Sequence, residues 1–242
     1  MRHAVCLTGL QREFPVVGGN IRRFLLELVA ALSARQHQRA ELAIFGVRPR
    51  SDSWWAITRL LPLHTVEPQS PLCVPWYNAS PVLPARLHWY HCNSKGRQHC
   101  ELNFLQTWCD LRQCETMIAR AERESGARFD VVHRLRADIS YEASLLPDEL
   151  PRVLRDDTIY VPYMGNMTGI NDQVAFGGRW AMGRYLTRVR HLIVHGPELS
   201  VDVLQRGYPR RLVLHRNRTI ASEELLRVFA HRDGVVCAPR SN

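Results

Sequence analysis

The sequence has almost no lysine: of 32 basic residues only Lys95 is a lysine and the other 31 are arginines, against 23 acidic residues. The resulting charge of +9 invites a nucleic-acid reading. However, the arginines are scattered along the whole chain, and no helix-turn-helix, zinc-finger or RNA-recognition signature accompanies them. The skew points to biased composition, and no nucleic acid is expected as a partner. Guanidinium groups grip phosphates bidentately, so an anionic small molecule suits this composition. Long apolar runs are also missing. None approaches the roughly 18–20 residues that cross a bilayer, so no membrane segment is expected in this chain. Met1 leads within two residues into a strand-like run, which argues against a signal peptide, and the chain is expected to be a soluble domain.

The seven cysteines contain no C-x-x-C pair. The spacing of His91, Cys92, His99 and Cys100 matches no zinc motif. A Cys92–Cys100 disulfide would close a loop in an oxidising compartment; otherwise free thiols are the default. Cys109 and Cys114 are five apart on a predicted helix and poorly placed to bridge each other. Also absent are G-x-G-x-x-G, a Walker sequence, internal repeats and low-complexity tracts, so nothing dictates NAD or ATP.

What is present is a chain of 242 residues, 45% of them hydrophobic, enough for one large α/β domain. HAVCLTG reads as a buried parallel strand ending at a glycine. LQREFPVVGGN reads as a loop, and IRRFLLELVAALSARQ as a helix with Ile21, Phe24, Leu25, Leu28 and Leu32 on one face. ELAIFGV, a short helix over DSWWAITRLL with Ser51 or Asp52 as its cap, and HTVEP complete a β-α-β-α-β series that predicts a parallel sheet. Residues 68–98 are rich in proline and aromatics and read as a surface excursion. A helix from His99 to about Ser125 ends at Gly126, with Leu102, Leu105 and Cys109 as a buried stripe expected to pack on the next strand. That strand, FDVVHRLRADIS, is the predicted centre of the sheet. DTIYVP and QVAFGG follow as strands, RWAMGRYLTRVRHLI as one amphipathic helix, PELSVDVLQRG as another, RLVLH as a late strand and SEELLRVFAHR as the last helix.

In an open parallel sheet ligands bind at the carboxyl ends of strands, and polar clusters stand there. Thr8, Gly9 and Arg12 follow the first strand, where Gly9 permits close backbone approach and Arg12 can clamp a phosphate. Arg134, Arg136 and Asp138 alternate on one face of the central strand. Such charges are costly in a buried strand unless they meet ligands or one another. They fit either an Arg–Asp salt-bridge ladder or a site for a diphosphate and a divalent cation, Asp138 being a hard oxygen ligand for Mg²⁺ or Mn²⁺. In GINDQVAFGG, Asp172 serves either as a general base or sugar-binding carboxylate, or as a turn cap.

The segments CLTGLQREF, FLQTWCDLRQC, FDVVHRLRADISY and NDQVAFGGRWAMGRY, taken in order, resemble a loose group of GT-A-like sugar transferases of surface-glycan loci and of plant and algal families. The likeness spans about residues 3 to 205. It implies an α/β GT-A-like fold: a mostly parallel sheet flanked by helices with a Rossmann-like N-terminal half. It further implies a single domain over 1–242, with residues 1–138 as the nucleotide-binding half and 139–242 as the acceptor and sugar half. The implied activity moves a sugar from a nucleotide-diphosphate sugar to a hydroxyl on a glycan or protein. Thr8, Gly9 and Arg12 would line the nucleotide pocket, Arg134 and Arg136 would approach the diphosphate, and Asp138 would stand at the metal position. Asp172 and Gln173 would face sugar or acceptor, with Glu198 as the rival base. The chain has one carboxylate at the metal motif instead of D-x-D, so two arginines can replace part of the charge of a Mn²⁺ or Mg²⁺ ion. It therefore fits, as the alternative, a GT-A-like domain that binds nucleotide or glycan without turnover. Three N-x-S/T sequons, at Asn78, Asn166 and Asn217, point to a Golgi lumen, with a cytoplasmic location as the alternative.

Overall fold

The computed structural model describes residues 1–9, 14–48, 57, 59, 61, 63–74, 88–89, 97–141, 154–161, 173–195, 219–220, 229–230 and 233–239. Within them the N-terminal half follows the expected alternation. β1 (Arg2–Thr8) leads to α1 (Phe14–Arg35), β2 (Glu41–Arg48) and β3 (Leu63–Pro68). β4 (His88–Trp89), α2 (Arg97–Ser125) and β5 (Val131–Arg136) come next. They are followed by β6 (Thr158–Val161), β7 (Ala175–Gly178), α3 (Arg179–Leu186), α4 (Val189–His195), β8 (Thr219–Ile220) and β9 (Val236–Pro239). Seven strands form one sheet in the order β3-β2-β1-β5-β7-β6-β9, and β4 pairs with β8 in a two-stranded sheet. β7 runs antiparallel to both neighbours, while every other pairing is parallel. This is the α/β class expected of the sequence: a mostly parallel sheet flanked by helices, with strands and helices alternating in the first half.

β1 is buried almost throughout because both sheet faces are covered. Val5 and Leu7 pack with Ile21, Leu25 and Val29 of α1 on one face. Ala4 and Cys6 pack with Leu111, Cys114 and Met117 of α2 and Ala181, Met182 and Tyr185 of α3 on the other. No helix among the described residues is long and apolar enough to cross a membrane.

Several expectations are corrected. α1 begins at Phe14, inside the segment read as a loop, because Pro15 falls in the first turn, where a missing N–H costs nothing. The helix expected over 179–193 is two helices. Thr187 Oγ1 donates 2.7 Å to the Gly183 carbonyl, and the chain turns at Thr187 and Arg188; such back-bonding competes with helix propagation. β9 is an additional strand, parallel to β6, in a segment to which the sequence assigned no element. α2 as a whole packs chiefly against β1 and β2 rather than β5; within the stripe, Leu102 is 38% exposed and Leu105 is fully buried, while Cys109 is joined to Cys73. Leu105→Ala is expected to cost about 2–5 kcal/mol in a urea titration. The predicted strand RLVLH, the helix PELSVDVLQRG and most of DSWWAITRLL lie outside the described residues.

The cysteines pair across the fold. Cys6 of β1 is joined to Cys114 of α2, and Cys73 to Cys109, with Cα–Cα separations of 5.8 and 5.6 Å. Partners 108 and 36 residues apart are invisible to spacing arguments. Cys92 and the side chain of Cys100 lie outside the described residues.

Near the amino end of the sheet, His3 Nδ1 lies 3.0 Å from His133 Nε2, and His3 Nε2 lies 3.1 Å from Ser33 Oγ. Burial holds His3 down to about 4 and His133 well below the usual histidine range. Both are therefore neutral when folded, whereas the unfolded chain protonates near 6.5. Their contribution is complete above that pH and drains away as pH falls toward about 4. His3 alone should cost about 2 kcal/mol between pH 7.5 and pH 5, read as a falling urea midpoint. A midpoint unchanged over that interval would refute the assignment.

Candidate functional site

The strand order places a topological switch point between β1 and β5. From β1 the chain builds outward through β2 and β3, then returns to β1's other side with β5. At such a switch point open α/β sheets take their ligands, beyond the carboxyl ends of the two strands. Thr8 and Arg136 are register partners at those ends. Beyond Thr8 the backbone turns at Gly9, whose φ of +109° disfavours any side chain. A Cβ there would lie 3.0 Å from Asp138 Oδ1 and 3.5 Å from the Ala137 nitrogen. Glycine thus lets the β1 turn close directly onto the Asp138 carboxylate.

The turn after β5 is fixed from three directions. The Ala137 N–H donates 2.9 Å to the Thr8 carbonyl. The Tyr141 hydroxyl accepts from the Arg136 N–H at 2.8 Å and donates to the Arg136 carbonyl at 3.1 Å. Asn20 of α1 accepts from the Tyr141 N–H at 2.6 Å and donates to its carbonyl at 2.8 Å. Phe24 stacks on the Tyr141 ring at 4.7 Å. Burial raises the Tyr141 phenol well above its usual range, so it works here as a neutral hydrogen-bonding group. These contacts hold Asp138 in place before any ligand arrives.

Arg136 and Asp138 form a bidentate pair, Nε to Oδ1 at 2.9 Å and Nη2 to Oδ2 at 2.6 Å. Their side chains are 33% and 11% exposed, so the pair faces solvent on the arginine side. The salt-bridge alternative is thus realised for Arg136 and Asp138, but Arg134 does not join the ladder. It is fully buried one pleat deeper, and its Nη1 donates to the Leu135 carbonyl. Gln173 is half-buried in a bend two residues before Ala175, the register partner of Arg134, and so precedes β7 at the end of the sheet where β5 finishes. Thr8, Gly9, Arg136, Asp138 and Gln173 therefore stand at one end of the sheet. Arg12, Asp172 and Glu198 lie outside the described residues.

No protein-family model matches the chain, and no curated protein sequence matches it. Among solved structures it is similar to a Desulfovibrio desulfuricans G20 protein provisionally named a nucleotide-diphospho-sugar transferase. The identity is 12% and the TM-score 0.35, over 98% of this chain and 79% of that one. A likeness of that degree fixes neither site nor substrate.

As a cation site the described residues fall short. Both oxygens of Asp138 are engaged by Arg136, and no group of three His, Cys, Asp or Glu residues that could hold a metal occurs among the described residues. A Mg²⁺ or Mn²⁺ shell needs several oxygen ligands in near-octahedral array, so the described side chains do not supply one by themselves. The arrangement supplies a guanidinium held on a carboxylate, one-third exposed on the arginine side, and a partly exposed glycine in the backbone turn. Together these suit an anionic ligand with hydroxyl groups.

Sequence reasoning missed Asn20, Tyr141, Trp108, Asp110 and Arg188. Tyr141 and Trp108 stand inside the segments that carry the resemblance, which was the available signal. Asp110 accepts from Gln69 at 2.7 Å and from Gln106 at 2.9 Å, and burial pushes its carboxyl up to about 6.

The Gly177-Gly178 pair, read from sequence as a break, is a packing device. A Cβ on Gly177 would run into the Thr158 carbonyl of β6, and one on Gly178 into the backbone of Asp156. The glycines let β7 approach its neighbour β6 and the chain that leads into it.

Proposed function

We propose that the chain is a glycosyltransferase, moving a sugar from a nucleoside-diphosphate sugar to a hydroxyl of a glycan or protein, as one domain with its donor half in residues 1–138. One observation carries the reading: Gly9, Arg136 and Asp138 meet at the switch point between β1 and β5, where open α/β sheets take ligands. In this scheme the turn at Thr8 and Gly9 receives the nucleotide, with Arg12 as a further phosphate clamp. Arg136 neutralises the diphosphate, Asp138 orients Arg136 and the sugar, and Gln173 binds sugar hydroxyls. The acceptor oxygen attacks the anomeric carbon, the bond from that carbon to the phosphate oxygen breaks, and the nucleoside diphosphate departs with the electron pair. The hydroxyl proton passes to Asp172 or, as rival, Glu198. Arginine supplies the leaving-group stabilisation; a divalent cation would take Asp138 and further ligands from outside the described residues. The two disulfides and three sequons favour an oxidising lumen such as the Golgi over the cytoplasm.

A second reading, nucleotide or glycan binding without turnover, is favoured by the double engagement of Asp138 by Arg136. The test is a thermal-shift panel of nucleoside diphosphates with and without Mn²⁺, followed by turnover of the matching sugar nucleotides. One preferred diphosphate, raising stability by about 2.7 kcal/mol at 100 times its Kd, supports the pocket. Release of that diphosphate on adding acceptor separates enzyme from binder. Equal response to every anion would sink both readings.

A further inference from the structure

Two buried guanidinium groups are idle in this scheme. Arg134 on β5 and Arg188, at the turn between α3 and α4, are 0% and 1% exposed. Each spends Nη1 on a main-chain carbonyl, that of Leu135 for Arg134 and that of Tyr185, at 3.1 Å, for Arg188. In each, Nε and Nη2 have no hydrogen-bond partner among the described residues. That Nε–Nη2 edge is the fork with which arginine takes two oxygens of a phosphate or carboxylate. Trp108 Nε1 and Thr8 Oγ1 are buried in the same condition.

These groups are neighbours. The Arg188 guanidinium lies 4.9 Å from the Trp108 ring centroid and 4.3 Å from that of Tyr185. Burial lowers Arg134 to about 10, with repulsion from Arg136 and Arg188 adding to it. Cys6 and Arg134 are register partners, as are Thr8 and Arg136, so Thr8 sits one pleat above Arg134 on the same sheet face. The cluster thus runs inward from Arg136, one-third exposed at the strand end.

Two like charges side by side in a core, with their best donor edges unpaired, are costly, and cation–π contacts return only a small part of that cost. This fold pairs buried arginines with acid where the role is structural: Arg179 takes both Glu115 and Glu122. Neither Arg134 nor Arg188 is ion-paired to a carboxylate among the described residues: buried Asp110 lies within electrostatic reach of Arg134, but its oxygens accept from Gln69 and Gln106. Guanidinium and indole N–H groups without acceptors, beside a carboxylate already engaged elsewhere, describe a site whose missing member is an oxyanion.

We propose that Arg134, Arg188, Trp108 and Thr8 form an interior seat for a phosphoryl group, reached from the strand end at Arg136. The naming of the occupant as the diphosphate of the sugar donor rests on the transferase reading; the seat itself does not. Arg188 is then a diphosphate-binding residue contributed from beyond the nucleotide half, made available by the break in the helix at Thr187.

Isothermal titration of the full chain with inorganic phosphate, pyrophosphate and a panel of nucleoside diphosphates tests this. Wild type is compared with Arg188→Met, Arg188→Lys and, as a control for net charge, the exposed Arg128→Ala. Pyrophosphate should bind wild type and Arg128→Ala alike and weaken about 10- to 100-fold in Arg188→Met. Arg188→Lys, which keeps the charge but loses the fork, should weaken it nearly as much, and it carries the test if the methionine variant does not fold. Binding of inorganic ions alone identifies a free-phosphate seat, and a preferred nucleoside diphosphate identifies the donor; both support the proposal. Equal affinity across all four proteins, or no phosphate compound binding wild type, overturns it. Turnover of a sugar nucleotide unaffected by Arg188→Met would remove the seat and leave the transferase. An Arg188-dependent pyrophosphate site without any transfer would do the reverse.

Discussion

Asp138→Asn is expected to reduce sugar transfer on the order of 10²–10³-fold while leaving a folded protein. The carboxylate accepts from Nε and Nη2 of Arg136 at 2.9 and 2.6 Å. An amide in its place keeps one acceptor and turns a donor toward the guanidinium, so Arg136 swings away from the strand end. The effect on stability is smaller. Arg136 is one-third exposed and regains water when released, so the loss should resemble that of a partly exposed ion pair, about 1 kcal/mol. Steady-state transfer and urea unfolding of the same purified variant give the two numbers. A loss of about 3–5 kcal/mol with transfer intact would make the pair purely structural and misplace the active site.

The largest stability effect is expected at Arg179. Its Nε donates to Glu122 Oε1 at 2.9 Å, and its Nη2 reaches Glu122 Oε2 at 2.9 Å and Glu115 Oε1 at 2.6 Å. The triad lies between α2 and α3 with all three side chains mostly buried. Burial pushes the Glu115 carboxyl up in spite of Arg179, while the two glutamates raise the guanidinium. Arg179→Met strands two carboxylates in that environment and should cost about 3–5 kcal/mol. The triple replacement Arg179→Met, Glu115→Gln, Glu122→Gln removes the charges together and should recover much of the loss. If the single variant keeps the wild-type urea midpoint, the triad is more hydrated than the packing indicates.

The elements legible in the sequence were those with strong periodicity or abrupt punctuation. HAVCLTG could only be a buried strand, and Gly126, at φ +66°, ends α2 where its neighbours required. The Arg-x-Arg-x-Asp alternation likewise placed Arg134 and Arg136 on one face and Asp138 at the strand's end. The misreadings share one cause: the deciding contact lay far away in sequence. Leu102 belongs to the same helical stripe as Leu105, yet only tertiary packing leaves one exposed and buries the other. Cys6 and Cys114 meet because α2 crosses the back of β1.

By itself, then, the sequence determined the α/β class, the parallel first half and the strand ends that carry polar groups, since local periodicity and the cost of burying charge act residue by residue. It could not divide Arg134, Arg136 and Asp138 into their separate situations. The tertiary structure made Arg136 the partner of Asp138, sank Arg134 near Arg188, and closed Gly9 onto the carboxylate. Pairing, depth and dielectric are properties of the space between elements, and that space exists only once the sheet and its helices have packed.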